Sequence, residues 1–193
     1  TQNWELLSSL VGYADKLPEN AKPKADVKAI IENRLLLADP DPVAPVLTEV
    51  TDILRKALND LKGKYDAEAA KGESKLVADE NWKKLSDEDK TRLLFDVGLL
   101  NDEPSVATGT AVDIDRTLEF LSLSAFSDKV KALAGKFSEA LMAAAQAAMP
   151  QLKFVRIPSR QFQQGDEAAV DAWLAEIGKL VKAELKNGPV SVG

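Results

Sequence analysis

Two pairs of carboxylates are the first residues of this sequence whose spacing could serve chemistry. Asp39 and Asp41 flank a proline, and Asp113 and Asp115 flank an isoleucine. Acid–base catalysis needs two carboxyl groups in different environments across a substrate, and a metal site needs further oxygen ligands nearby. Neither pair has that context. We therefore interpret both as helix caps and turn residues, and we predict no catalytic and no metal-binding residue.

The residues that most often carry enzyme chemistry are absent from the sequence. The 193 residues include neither histidine nor cysteine, which excludes disulfides, thiolate metal sites, cysteine nucleophiles and Ser-His-Asp triads. A phosphate-binding loop is also missing, because Gly135-Lys136-Phe137 lacks the upstream glycine and the following Ser or Thr. We expect no cofactor and no enzymatic activity of this chain by itself.

A small group of basic and aromatic residues lies near the end of the chain. Lys153, Arg156 and Arg160 supply the positive charge. Phe154 and Phe162 accompany them, and this mixture is typical of a nucleic-acid or phosphate contact. The alternative is an edge strand protected by outward charges, with the phenylalanines in the core. The net charge of −6 disfavours a general nucleic-acid surface, so this contact is our second hypothesis.

Apolar residues at steps of three and four predict one long helix over about residues 45–71. Pro45 suits its first turn, Ala44 precedes it as the cap, and Gly72 is its expected end. At about 1.5 Å per residue such a helix is roughly 40 Å long. Its apolar stripe is expected to be covered by the neighbouring helices. The alternative is that its second half, which is highly charged, projects and contacts a partner. The four candidate contact residues are Lys62, Lys64, Tyr65 and Lys71.

Shorter helices are predicted on both sides of the long one. Two helices precede it, and the second runs over residues 27–35 until the prolines of the segment 39–42 stop it. Ser86 is predicted to cap a helix that folds back on the long one as a helical hairpin. Asp113 and Ser127 are the predicted caps of the next two helices.

The last part of the chain, residues 151–193, is predicted to form a β-α-β unit. Residues 152–157 alternate and include β-branched and aromatic side chains, which is typical of a strand. A helix capped by Asp166 follows, and residues 189–192 form the second strand, parallel to the first. Two strands alone are marginal, so a third is expected from Val106 and Ala107 or from chain outside this sequence.

The predicted class is therefore mainly α (α+β), with one helical region at 1–100 and another at 101–193 packed as one domain. No apolar run approaches the ~20 residues needed to cross a bilayer, and no signal segment opens the chain. We predict a cytoplasmic protein without membrane contact. The first residue is not methionine, which suggests a piece of a longer protein.

Five short phrases of the sequence share a family resemblance. They are Arg34-Leu-Leu-Leu-Ala-Asp-Pro-Asp-Pro-Val43, Ile53-Leu-Arg-Lys-Ala-Leu58, Trp82-Lys-Lys-Leu85, Val170-Asp-Ala-Trp-Leu174 and Gly188-Pro-Val190. Together they resemble the carboxyl-terminal part of the large P-loop ATPases of BREX phage-defence systems, of the BrxC/PglY type. The resemblance implies a parent that hydrolyses ATP and blocks phage replication together with other BREX proteins. No catalytic residue carries over, because the ATP-binding loop of that family would lie upstream.

Our first hypothesis is therefore a non-catalytic protein–protein assembly module at the end of a phage-defence ATPase. Its contact surfaces are the long helix and the β-α-β unit, and its expected partners are other BREX proteins or a second copy. The second hypothesis is a nucleic-acid-contacting module led by Lys153, Arg156 and Arg160. A hydrolase that uses a carboxylate-bound metal is disfavoured, because no carboxylates converge in the sequence.

Overall fold

A computed structural model describes residues 2–148, 153–157, 159–163, 165–186 and 188–192. The described chain is built mainly from helices, which confirms the predicted mainly α class. The elements are α1 (Gln2–Tyr13), α2 (Ala21–Glu32), α3 (Val43–Ala78), α4 (Glu80–Lys84), α5 (Asp87–Asp96), α6 (Ala111–Phe120), α7 (Leu123–Ala148), β1 (Lys153–Val155), α8 (Glu167–Leu185) and β2 (Val190–Val192). Residues 151, 152, 158, 164, 187 and 193 of the predicted β-α-β unit lie outside the described residues.

Contacts between residues divide the chain into two compact units. Unit 1 comprises Thr1–Gly72 and Asn101–Gly135, and unit 2 comprises Glu73–Leu100 and Lys136–Gly193. The division falls inside α3 and inside α7, so each of these helices contributes to both units. The bounds of the two units therefore differ from those of the two predicted regions, 1–100 and 101–193.

The long helix α3 begins two residues earlier than predicted. Its first residue is Val43, whose backbone N–H donates to Asp41 Oδ1 at 2.9 Å. Asp41 thereby satisfies one of the unpaired N–H groups at the helix start, a role that the sequence analysis gave to Ala44. Pro45 lies in the first turn, where its missing N–H costs nothing.

The same helix also ends later than predicted. α3 has 36 residues and continues through Gly72 to Ala78. A glycine inside a helix costs only about 1 kcal/mol of stability relative to alanine. Burial of apolar side chains before and after the glycine can offset this cost. Tyr65 and Leu76 are both buried, and their spacing from Gly72 places all three on one face of α3. The prediction that Gly72 ends the helix is wrong for this reason.

Unit 1 has a core to which α1, α3, α6 and α7 contribute. Its fully buried side chains include Leu7, Leu10, Leu54, Leu58, Ile114 and Phe126. Val50, Leu54 and Leu58 are the apolar stripe that predicted α3, and all three are inaccessible to water. The first half of the long helix is therefore a core element, with its apolar face used within the chain.

The loop after α5 contains no strand. Val106 and Ala107, predicted as a third strand, have no strand partner. Instead, the backbone N–H of Ala107 donates to Thr117 Oγ1 at 3.1 Å, and Thr117 Oγ1 donates to the carbonyl oxygen of Ala107 at 3.0 Å. The Thr117 hydroxyl thus takes the place of a neighbouring strand, and the strand prediction is wrong.

Replacing Thr117 with valine is expected to lower the free energy of unfolding by about 1 kcal/mol, since both hydrogen bonds to Ala107 are lost at nearly constant volume. Thr117 is buried on α6. Urea denaturation followed by circular dichroism measures the change. The exposed Thr91→Val is the control, although Thr91 also bonds a backbone carbonyl, that of Asp87 four residues earlier in its own helix. An equal loss in both variants would contradict the bridging role of Thr117.

Helix caps account for several shifted boundaries. The N-cap of α6 is Thr110, which forms a capping box with Asp113, so Asp113 is the third helical residue instead of the predicted cap. Ser122 Oγ accepts the N–H of Ala125 at 3.2 Å at the start of α7. The predicted cap Ser127 lies inside α7. Ser86 does cap α5, as predicted, and accepts the N–H of Asp89.

Unit 2 contains the two short strands. β1 and β2 pair in parallel, with Lys153 opposite Val190 and Val155 opposite Val192. α8 lies between them in the chain and contacts both strands. The third strand that was expected to support them is not formed by Val106, and the helical hairpin of α3 with α5 stays a prediction.

Candidate protein interface

The carboxylate pairs of the sequence act as structural groups wherever their contacts are described. Asp41 caps α3, and Asp113 Oδ2 accepts from the N–H and the hydroxyl of Thr110 at 2.9 and 2.8 Å. These hydrogen bonds hold the pKa of Asp113 below its usual range. Among the described residues, no group of three or more Asp or Glu side chains is arranged to bind a metal ion.

The Asp113 cap predicts a specific pH dependence. A carboxylate whose pKa is lowered in the folded state adds stability above its unfolded pKa, and this stability is lost as the pH falls through the folded pKa. Acidification below about pH 4 is therefore expected to weaken the wild-type chain more than Asp113→Asn. Thermal unfolding at pH 7 and pH 3 measures the difference. Identical pH slopes in both proteins would contradict the cap.

Two residues of the predicted partner contact serve unit 1 itself. Lys62 Nζ lies 2.5 Å from Asp66 and 3.1 Å from Glu103, and these partners raise the pKa of Lys62. Tyr65 is only 6% exposed and packs on Phe126, with ring centroids 6.4 Å apart. Burial raises the pKa of the Tyr65 hydroxyl. Its burial corrects the prediction that Tyr65 contacts a partner.

The other two residues of that contact lie at the surface. Lys64 is exposed, and Lys71 is exposed with its Nζ 3.6 Å from Glu68. An exposed pair at this distance along one helix contributes little to stability. The charged half of α3 therefore presents the exposed lysines Lys64 and Lys71, while its aromatic ring is inside.

The predicted nucleic-acid contact is partly used within unit 2. Arg156 and Arg160 are exposed, and the guanidinium carbon of Arg160 lies 5.9 Å from the ring centroid of Phe162. Phe162 packs edge-on against Trp173 of α8 at 5.6 Å. This packing favours a structural role for Phe162 over a free stacking platform. The side chains of Lys153 and Phe154 lie outside the described residues.

A short turn of three leucines includes the most exposed large apolar side chain among the described residues of unit 1. α2 ends at Glu32, and Arg34 adopts a left-handed conformation with φ 55°. Leu35–Leu37 then form a 3₁₀ turn, in which three successive side chains point in three directions. At most one of them can face a core. Leu36 is 44% exposed and Leu37 is 98% exposed. We call Leu35–Leu37 the leucine turn.

The leucine turn borders a groove of about 1000 Å³ in unit 1. Its apolar lining comes from α1, α2, the turn and the start of α3, and consists of Trp4, Ile31, Leu36, Leu37, Ala38 and Val43. Ile31 is 54% exposed. The charged residues of the lining are Glu5, Asp41 and Arg34, so its formal charge is negative. We call this site the leucine-turn groove.

The sequence analysis missed this groove because it treated Leu35 as the last apolar residue of a helix. The signal was present in the run of three leucines directly before the Asp-Pro-Asp-Pro segment at 39–42. Three consecutive large apolar residues do not fit one helical face. Since the prolines stop the helix, at least one leucine had to remain outside the core.

A second exposed apolar surface lies on α8 in unit 2. Leu174, Leu180 and Leu185 are all exposed, and none of the residues of α8 is buried. A 19-residue helix usually buries one face against its own domain. Only the side of α8 around Trp173 packs against the rest of unit 2. The neighbouring face of the helix is in contact with water.

No protein-family model matches this sequence, and neither a curated protein nor a solved structure shows significant similarity to it. None of the helices in the described part of the chain combines the length and apolar character needed to cross a membrane.

Proposed function

We propose that this chain is a non-catalytic protein–protein assembly module. The single observation that supports this most directly is the leucine-turn groove, where Leu37 is 98% exposed beside half-exposed Ile31 and Leu36. Burying one leucine side chain is worth about 1.5–3 kcal/mol. A partner that covers these three side chains gains binding free energy from surface that the folded chain leaves in water.

The lining of the groove also supports a particular chemistry for the partner segment. Its apolar floor fits aliphatic or aromatic side chains spaced along a helix or an extended segment. Glu5 and Asp41 outnumber Arg34 in the lining, so a partner segment with basic residues beside its apolar ones matches it best. We propose an apolar segment flanked by Lys or Arg as the occupant.

The resemblance to BREX ATPases suggests which partners to test first. The phrase Arg34 to Val43 that contributes to this resemblance includes the whole leucine turn. We propose that the parent is such an ATPase, that it works in the cytoplasm, and that other proteins of the same defence system dock in the groove. The chain itself then supplies binding surface and no catalytic group.

A pull-down with the purified chain and each BREX protein in turn tests the proposed function. After nuclease treatment, the wild type is expected to retain one sister protein, and Leu37→Asp is expected to lose it. Val77→Asp is the matched control, because Val77 is an exposed aliphatic residue of α3 at 68% exposure. Equal retention by Leu37→Asp, or retention of no sister protein, would overturn the proposal.

The same material tests the second hypothesis. Nucleic-acid binding that weakens with salt and is lost in Arg156→Glu would favour the contact led by Lys153, Arg156 and Arg160. The packing of Phe162 on Trp173 argues against that result. We expect no salt-sensitive binding in a gel-shift titration.

A further inference from the structure

One face of α8 lies uncovered although the helix is attached to its own unit on another side. Trp173 packs against Phe162, and the helix contacts both strands. A different face carries four residues at steps of four, three and four, which place them in line: Leu174, Gly178, Val181 and Leu185. Leu174 and Leu185 are each 54% exposed. We call these four residues the α8 stripe.

The centre of the α8 stripe is open. A Cβ built on Gly178 would meet no atom of the described residues within 4 Å, so there is open space next to this position of the stripe. A glycine at this point also lets a second helix approach closely, because no side chain separates the two backbones. The stripe is thus exposed at both ends and open at its centre.

Two pairs of apolar residues lie symmetrically about one point of α8. The midpoint lies between Ile177 and Gly178, and Leu174 and Val181 lie equally far from it. Val170 and Leu185 also lie equally far from it. When two copies of a helix pair about a two-fold axis, residues at equal distances from the midpoint face each other. In an antiparallel pair about this midpoint, Leu174 of one copy faces Val181 of the other, and Leu185 faces Val170.

The charges along α8 favour the same arrangement. Residues 166–176 include four carboxylates and no basic residue, at Asp166, Glu167, Asp171 and Glu176. Residues 177–186 include three lysines, Lys179, Lys182 and Lys186, with Glu184 as the one carboxylate. An antiparallel pair sets the acidic half of one helix against the basic half of the other. A parallel pair would set like charges together.

We infer that α8 is a self-association helix, whose partner is α8 of a second copy of this chain in antiparallel orientation. The contact is formed by the α8 stripe and Val170, with Gly178 at the crossing point. Asp171 of each copy lies two residues from position 173, which faces Lys182 of the other copy. This inference goes beyond the proposed function, since it concerns a different surface and a different partner. It doubles the number of leucine-turn grooves in one assembly.

The dimer is expected to be weak. One helix pair buries less than about 1,200 Å², the lower end of specific interfaces. Interfaces of about 1,600 Å² already range from micromolar to picomolar Kd, so we expect a Kd on the order of 10–100 µM. The dimer then forms readily only where copies are concentrated, for example when both are bound to one larger assembly.

Sedimentation equilibrium of the whole chain at increasing concentration tests this inference. The wild type is expected to shift from monomer to dimer, and Leu174→Glu is expected to raise Kd at least about tenfold by placing a charge in the contact. Ala172→Glu is the matched control. It adds the same charge to an exposed position of α8 on the side opposite the stripe, and it is expected to dimerise like the wild type.

A charge exchange tests the orientation. Asp171→Lys alone and Lys182→Asp alone each place like charges together in an antiparallel pair, and each is expected to weaken the dimer about fivefold at low salt. The double variant restores opposite charges only if the helices are antiparallel. Its Kd is expected to return to the wild-type value.

Three results would overturn the inference. The first is a wild type that stays monomeric up to a protein concentration about ten times the expected Kd, and the second is a Leu174→Glu variant that dimerises like the wild type. The third is a double charge exchange that dimerises no better than the single variants. A monomeric chain that still loses its partner in Leu37→Asp would overturn this inference alone. A dimer that binds no sister protein would overturn only the proposed function.

Discussion

Replacing Phe126 with alanine is expected to lower the free energy of unfolding by about 3–5 kcal/mol. Phe126 is fully buried in unit 1 and contacts the ring of Tyr65, which is itself only slightly exposed. Removing the ring loses its transfer free energy and leaves a cavity that rigid helices fill incompletely. Since whole domains are stable by only about 5–15 kcal/mol, the variant is expected to unfold at much lower urea concentration.

The chain provides a matched control for this variant. Phe120, at the end of α6, is 87% exposed. Phe120→Ala deletes the same ring atoms at a position where they are exposed to solvent instead of packed in a core. Its free energy of unfolding is therefore expected to stay within about 0.5 kcal/mol of the wild type. Urea denaturation of both variants measures the contrast. A loss under about 1 kcal/mol in Phe126→Ala would contradict the core assignment.

Replacing Leu37 with aspartate is expected to separate binding from stability. The side chain of Leu37 is almost fully in water, so the free energy of unfolding is expected to change by less than about 0.5 kcal/mol. In the complex the same position is covered, and a carboxylate there must be buried without a partner. Such central apolar anchors cost about 2 kcal/mol or more when removed, which is about a thirtyfold rise in Kd.

Isothermal titration with the retained partner and urea denaturation measure the two quantities. Leu37→Met, which keeps an apolar side chain of similar volume, is expected to bind within about threefold of the wild type. Val77→Asp is expected to bind like the wild type, because Val77 lies outside the groove. A drop in stability in Leu37→Asp that matches the drop in binding would show that the turn is structural.

Periodicity predicted the main helices because their apolar stripes are buried within the chain. Val50, Leu54 and Leu58 are spaced for one helical face and are fully buried in α3. The ends of elements were harder to predict, since each depends on a single side chain that can satisfy the helix start. Asp41 and Thr110 take the roles that the sequence suggested for Ala44 and Asp113.

The leucine-turn groove was not predictable from periodicity, because it depends on tertiary packing. A helix that ended at Leu35 would keep that side chain on the stripe of α2. The left-handed Arg34 ends the helix early and turns the leucines outward. Likewise, the hydroxyl of Thr117 takes the place of a strand beside Ala107. These two residues are ten positions apart, and no local sequence pattern predicts their contact.

The charged half of α3 also depends on tertiary packing. The sequence left two interpretations open, burial of the apolar stripe within the chain or a projecting charged arm whose contact residues include Tyr65. The ring instead faces Phe126, and Lys62 is held by Asp66 and Glu103. A tyrosine among lysines fits an interface and a helix that is half buried equally well, so sequence alone did not distinguish them.

Site-specific photo-crosslinking at position 37 tests the central claim most directly, because it asks whether a protein covers the leucine turn. With a photo-reactive residue in place of Leu37, the chain is expected to form one covalent adduct with the sister protein retained in the pull-down, and nuclease is expected to leave it intact. The same residue at Lys84, exposed at the end of α4, is the control and is expected to form none. Adducts at both positions alike, adducts with nucleic acid only, or none at position 37 would contradict the account.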